Sequence, residues 1–202
     1  MYKYLLLTFG VLCSETGYSQ SKPKVKGEKC LRNIYGLKKP MNQEVELQFC
    51  FEHAGRTCCH ENDIIPIRSK MYEVRKLSVP PTEGICQAVT SRALCTLCDA
   101  DVGTGINSDG AICLNFCDEW FLSCQSAFID PYLDKNKNVP FCRDESLVCT
   151  QVAETFESSR QFCEFMGFQV RSPSQMEDSE SFCFNGIPRQ LTLHGKLMRS
   201  QE

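Results

Sequence analysis

Apolar and cysteine residues recur every three or four positions along four stretches of the chain, the spacing of one face of a helix. Between Thr82 and Cys98 they fall at 85, 86, 89, 93, 94 and 97, directly after Pro80-Pro81. Ala111 to Phe128 carries the strongest stripe, with Ile112, Phe116, Trp120, Phe121, Cys124 and Phe128, and Asp130-Pro131 is its expected stop because a residue before proline disfavours the α region. Ser146 to Phe156 is a third amphipathic run. Ser159 to Met166 is a fourth, closed by Gly167, which suits the left-handed position after a helix. Val45 to Phe51 alternates as a short strand does, and Asp101 to Gly110 has the composition of a loop. The pattern predicts an α+β chain, mainly helical, with minor short strands.

Composition adds a covalent framework. The 202 residues include 15 cysteines, with a hydrophobic fraction of 42% and a charged fraction of 23%. Those fractions describe a globular chain long enough to bury a core of its own, so the sulfurs supplement that core. The formal charge of −3, from 22 basic and 25 acidic side chains, offers no surface for nucleic acid.

The N-terminus places the chain in the secretory pathway. Lys3 precedes an apolar run of nine residues, Leu5 to Cys13, and Gly17 and Ser19 stand three and one residues before a cleavage after Ser19. The run is far shorter than the ~20 residues that span a bilayer. Residues 1–19 therefore read as a signal peptide. Its removal takes Cys13 away and leaves 14 cysteines, an even number that suggests seven disulfides in an oxidising compartment. Residues 20–29, with four lysines, read as a mobile polar leader, residues 30–190 as one cysteine-rich domain, and residues 191–202 as a flexible C-terminal tail. No transmembrane segment, GPI-anchor signal or Asn-x-Ser/Thr sequon is read in the sequence, so a secreted, unglycosylated protein is expected.

Cys113, Cys117 and Cys124 lie on one helical face, so one helix can be stapled to three partners. The adjacent Cys58 and Cys59 must diverge and bridge two elements. Two other chemistries compete for these sulfurs. Cys95-x-x-Cys98 and Cys113-x3-Cys117 have the spacing of zinc ligand pairs, with His53, His60 and His194 as further donors, and Cys95-x-x-Cys98 has the spacing of a redox pair. A secretory route and even parity argue against zinc. The position of Cys95 and Cys98 near a helix end, rather than at a helix start that lowers a thiol pKa, argues against redox catalysis.

The order Cys50-x7-Cys58-Cys59, then Cys86-x8-Cys95, then Cys113-x3-Cys117-Asp-Glu-Trp-Phe-x2-Cys124 resembles the folate receptor and riboflavin-binding protein family. Within that family, Cys95-Thr-Leu-Cys-Asp-Ala-Asp-Val-Gly103 and Cys113-Leu-Asn-Phe-Cys-Asp-Glu-Trp-Phe121 look most like the shorter folate-receptor-like proteins of plants and protists. The likeness covers about residues 30 to 183. It implies a disulfide-stapled single domain with the pairs Cys30–Cys58, Cys50–Cys95, Cys59–Cys98, Cys86–Cys124, Cys113–Cys183 and Cys117–Cys163. Cys142 and Cys149, whose family partners are missing, are expected to pair with each other.

The resemblance also implies a pocket holding a flat heteroaromatic vitamin between aromatic rings, with a carboxylate reading the pterin. Ala93 stands at that carboxylate's position, Gly103 to Gly110 replaces a basic, tryptophan-containing loop, and Asp134 to Val139 replaces a tryptophan-rich segment. The folate-specific residues are thus unmatched. Trp120, Phe121, Tyr72 and Arg68 are the candidate ligand contacts. Core packing is the competing reading of Trp120 and Phe121, and loop surface that of Tyr72 and Arg68, as of Arg56 and His53. No enzyme motif, cofactor or metal site is read in the sequence. The expected function is non-catalytic binding of a small, vitamin-like molecule. An extracellular protein partner is the alternative, and a thiol oxidoreductase the second alternative. Because the Cys142–Cys149 loop is short, Cys142→Ser is expected to preserve secretion, cost little stability and expose one thiol. Loss of secretion would show instead that these cysteines join distant parts of the chain.

Overall fold

The computed structural model describes Cys30 and residues 47–54, 56–104, 107, 110–133, 139–172 and 182–188. The segments expected as signal peptide, polar leader and C-terminal tail lie outside the described residues. A 3-10 turn, Phe51–His53, leads into helix α1 (Glu61–Lys76), followed by α2 (Gly84–Leu94), a 3-10 turn (Cys95–Cys98) and the single turn α3 (Ala100–Gly103). Strand β1 (Ile112–Cys113), helix α4 (Leu114–Ser123), β2 (Phe128–Ile129), β3 (Thr150–Gln151), α5 (Val152–Thr155), α6 (Ser159–Phe165) and β4 (Val170–Arg171) complete the order. The strands form two short pairs, β1 parallel to β4 and β2 antiparallel to β3. The chain is mainly helical with minor β, as its periodicity predicts.

Helix α4 is the hub. It packs on α2 and α6, and its buried face contributes Phe116, Cys117 and Trp120 to the main core, where Met71, Val89, Ala93, Ile129, Phe141, Val152 and Phe162 join it. Only one of the three cysteines expected on one helical face lies within α4: Cys113, in β1, is its N-cap and bridges to Cys183, Cys117 bridges from the helix to Cys163 on α6, and Cys124, its C-cap, bridges to Cys86 on α2. A smaller core of Leu47, Ile64 and Ile67 is tied by Cys50–Cys95 and Cys59–Cys98, so both ends of the Cys95–Cys98 turn are fastened to residues 50–59. Cys30–Cys58 and Cys142–Cys149 bring the bridges among the described residues to seven. In the chain-entropy view the Cys113–Cys183 bridge, spanning 70 residues, restricts the unfolded chain by about 4 kcal/mol, and Cys142–Cys149, spanning 7, by about 2 kcal/mol.

Several elements depart from the periodic reading. The Ala111–Phe128 stripe holds a helix only from Leu114 to Ser123. The amides of Ile112 and Cys113 donate to the carbonyls of Gln169 and Phe184, and Phe128 and Ile129 pair with β3, so both ends of the stripe are drawn into strands. Helix α4 therefore ends ahead of Asp130-Pro131. The Ser146–Phe156 run gives only β3 and the one turn of α5, because Thr150 and Gln151 pair with β2. The expected strand at Val45 to Phe51 does not form among its described residues: Cys50 has a left-handed backbone (φ 57°) and turns the chain into Phe51–His53. The Asp101–Gly110 loop begins with α3, capped by the Asp99 carboxylate, which accepts the Asp101 amide.

Helix α1 replaces the loop expected around Arg68 and Tyr72. Ile64, Ile67, Met71 and Val74 form its buried stripe, but Pro66 in its second turn hides the pattern by removing one backbone donor. A capping box starts the helix: the His60 side chain accepts the Asn62 amide, and the Asp63 carboxylate accepts the His60 amide.

Two glycines separate close approach from open space. A Cβ on Gly103 would stand 2.4 Å from the Cys58 Cβ and 2.6 Å from its sulfur, whereas one on Gly84, at the start of α2, meets nothing within 4 Å. Gly103→Ala is therefore expected to lower unfolding stability by about 1–3 kcal/mol, and Gly84→Ala to be neutral or to raise it by up to about 1 kcal/mol, in denaturant titrations. Equal effects would show that Cys58 yields to the added methyl.

Candidate functional site

The four candidate contacts sit in two different settings. Trp120, on α4, is 0% exposed. Its indole N–H donates to the Thr90 hydroxyl at 2.9 Å, and the edges of Phe162 and Phe168 pack against it at centroid distances of 5.2 and 5.5 Å. Phe121, half-buried, leans on Phe162 at 5.8 Å. Both rings belong to the α4–α6 interface, and neither face of the indole is open. Tyr72 and Arg68 lie one turn apart on the exposed side of α1, where Arg68 donates to the Gln48 side chain at 3.1 Å. Ala93 is buried in the core between α2 and α4. Cys95 and Cys98 are both buried in separate bridges, which removes the redox pair. Among the described residues no three His, Cys, Asp or Glu side chains group as a metal site would.

A buried polar centre lies where Phe51–His53, the Cys95–Cys98 turn and the segment carrying Phe184 meet. His53 is 1% exposed, its ring 5.8 Å from that of Phe184 and its Nδ1 3.9 Å from Asp99 Oδ2. Among the described residues neither imidazole nitrogen has a hydrogen-bond partner, and the Thr96 hydroxyl and one Arg56 guanidinium nitrogen share that condition. Thr57 stitches the centre together, donating from its hydroxyl to the Cys98 carbonyl and accepting the Cys59 amide. Burial pushes the His53 pKa down to about 4, outweighing the attraction of the nearby Asp99 carboxylate, so the ring is neutral at physiological pH.

The surface carries a cleft of about 480 Å³, lined by Asp130, Tyr132 and Leu133 on one side and Glu145, Leu147 and Val148 on the other. The first wall follows β2. The second is the loop closed by Cys142–Cys149, and Arg143 in that loop is pinned to Glu73 of α1 at 2.6 Å. None of the four candidate contacts lines this cleft. Periodicity could not find it, because its residues come from two loops; the one sequence signal was an apolar pair, Leu147-Val148, inside a short acidic loop flanked by cysteines.

A family model described as the folate receptor family matches residues 29–185. The chain belongs to the folate receptor family. It is 25% identical over 165 residues to the HIPL2 protein of Arabidopsis thaliana, a match covering 75% of this chain and 22% of that relative. The chain thus spans less than a quarter of the relative's length. The folate receptor family is a binding family rather than an enzymatic one. No helix among the described residues is long and apolar enough to cross a membrane.

The buried imidazole sets a pH dependence. Unfolded, His53 takes up a proton as pH falls through about 6.5; folded, it resists until about 4. The unfolded chain binds more protons in that window, so stability is complete above it and declines through it, by up to about 3 kcal/mol at its lower end. Denaturant titrations from pH 7.5 to 4 are expected to show this decline in the parent and a shallower one in His53→Phe. Parallel curves would mean that His53 is as free to protonate folded as unfolded.

Proposed function

We propose that the chain is a secreted, non-catalytic binding protein whose ligand is a small molecule held at the protein surface, not a vitamin stacked on Trp120. The enclosure of Trp120 carries this reading. Its indole N–H is engaged by Thr90 and its ring by Phe162 and Phe168 in T-shaped contacts, while Ala93 supplies no carboxylate for a pterin. Stacking and a paired carboxylate hydrogen bond are the physical sources of tight binding to a flat heterocycle, and this chain has reassigned both positions to packing. Seven bridges among the described residues agree with an oxidising compartment.

A protein partner is the second reading, favoured by Ile65 and Tyr72, both exposed on α1. If it holds, binding of the purified chain to cell surfaces is lost in Tyr72→Glu and kept in Tyr132→Ala.

Trp120 is the only tryptophan, so emission reports it alone. Expressed with its own N-terminus, the protein is expected in the medium with no free thiol. Its tryptophan lifetime should stay unchanged on adding micromolar folate or riboflavin, while a thermal-shift panel of small molecules raises Tm for another chemical class. Saturable quenching by either vitamin, or retention inside the cell with free thiols, would overturn the reading.

A further inference from the structure

We propose that the cleft between the Asp130–Leu133 turn and the Cys142–Cys149 loop binds a small organic cation with an aromatic or aliphatic body. The proposal rests on the small-molecule reading above and names the site and the ligand class. The cleft volume of about 480 Å³ falls within the range of small-ligand sites. Its walls are unusual for a surface. Tyr132 is 82% exposed and Leu147 99% exposed, and Val148 is exposed beside them, so three large apolar side chains converge on one depression instead of being scattered.

Among the described residues, both charged side chains that line the cleft, Asp130 and Glu145, are acids, and none is basic. Asp130 is 7% exposed. One of its oxygens accepts the Tyr132 amide at 3.0 Å, and no other side-chain hydrogen bond or ion pair is formed by this carboxylate among the described residues. The second oxygen of this carboxylate is open at the cleft and can accept from a positive donor. Glu145 stands on the rim, 4.0 Å from Arg143, whose other terminal nitrogen is committed to Glu73 at 2.6 Å. The Tyr132 ring supplies the face on which a cation is attracted by the ring quadrupole. An anion would meet two carboxylates, and a purely apolar molecule would leave Asp130 unanswered.

The walls are also held in place before any ligand arrives. Asp130 donates its amide to Pro140 and accepts the Leu133 amide at its carbonyl. Across the cleft, the Arg143 amide donates to the Ser146 hydroxyl, the Ser146 amide donates back to the Arg143 carbonyl, and the Val79 amide donates to Cys142. The Cys142–Cys149 bridge closes that loop, so little conformational freedom remains to be lost on binding.

The test uses the full chain, ¹⁵N-labelled, at pH 7 and low salt, with benzylamine as the cationic probe and benzyl alcohol as its neutral counterpart. Benzylamine is expected to give saturable amide shifts confined to residues 130–133 and 143–149, and benzyl alcohol to bind about tenfold more weakly. Asp130→Asn should weaken benzylamine about tenfold. Glu145→Gln, on the exposed rim, should weaken it about two- to threefold while leaving the rest of the spectrum unchanged, and it decides the matter if Asp130→Asn does not fold. The paired change Cys142→Ser, Cys149→Ser should weaken binding with the α4 signals unmoved. Equal binding of the two probes, shifts centred elsewhere, or parent-like affinity in Glu145→Gln would overturn the proposal. A Tm rise from a different ligand class with a silent cleft would remove the cation site and leave the small-molecule reading standing.

Discussion

Everything in this fold depends on one helix being fastened three ways. The sulfurs of Cys113 at its N-cap, Cys117 within it and Cys124 at its C-cap reach the segment at Cys183, α6 and α2. The sheets are too small to organise the molecule, each being a pair of two-residue strands. What α4 supplies instead is a rod along which the bridges fix the other elements, and the aromatic side chains fill the space that results. Trp120 sits where α2 and α6 meet that rod, and its one polar atom finds Thr90. A side chain so placed cannot also serve a ligand, so the scaffold's most central residue is unavailable to function.

A second unit is organised differently. Residues 47–60 and the Cys95–Cys98 turn are laced by Cys50–Cys95 and Cys59–Cys98 around a few aliphatic side chains and a set of imperfectly satisfied polar groups. His53, neutral and without a hydrogen bond, is the clearest of these. Covalent closure lets such a group persist, because local opening to hydrate the ring works against the two bridges.

Much of this was legible in the sequence, and the reasons for the failures are physical. Sulfur order carried the fold: the pairs seen in the structure are those that the family resemblance implies, with Cys142 and Cys149 joined to each other. Periodicity found α6 nearly to the residue and put Gly167 at the helix exit, where its φ is 92°, whereas the Thr82–Cys98 run holds α2 only over Gly84–Leu94 and ends in a 3-10 turn. It overran α4 because period alone cannot see that the Ile112 and Cys113 amides are claimed by segments some 57 and 71 residues away, a tertiary choice made by Gln169 and Phe184. It missed α1 because Pro66 masked a sound apolar stripe. The proposed binding cleft was the least legible part. Trp120 drew notice for its chemistry and proved to be enclosed, whereas Asp130, Tyr132 and Leu147 each looked ordinary until two loops brought them together.

Leu147, the most exposed large apolar side chain described, stands at the tip of a loop whose two ends are joined by a covalent bond. Exposed loop tips are where proteases cut. A cut beside Leu147 would add one water and release nothing: both new ends would stay tethered through Cys142 and Cys149, and the fragments would separate only on reduction. The exposed wall of the cleft can thus be nicked while the molecule keeps both fragments, its core and its other bridges.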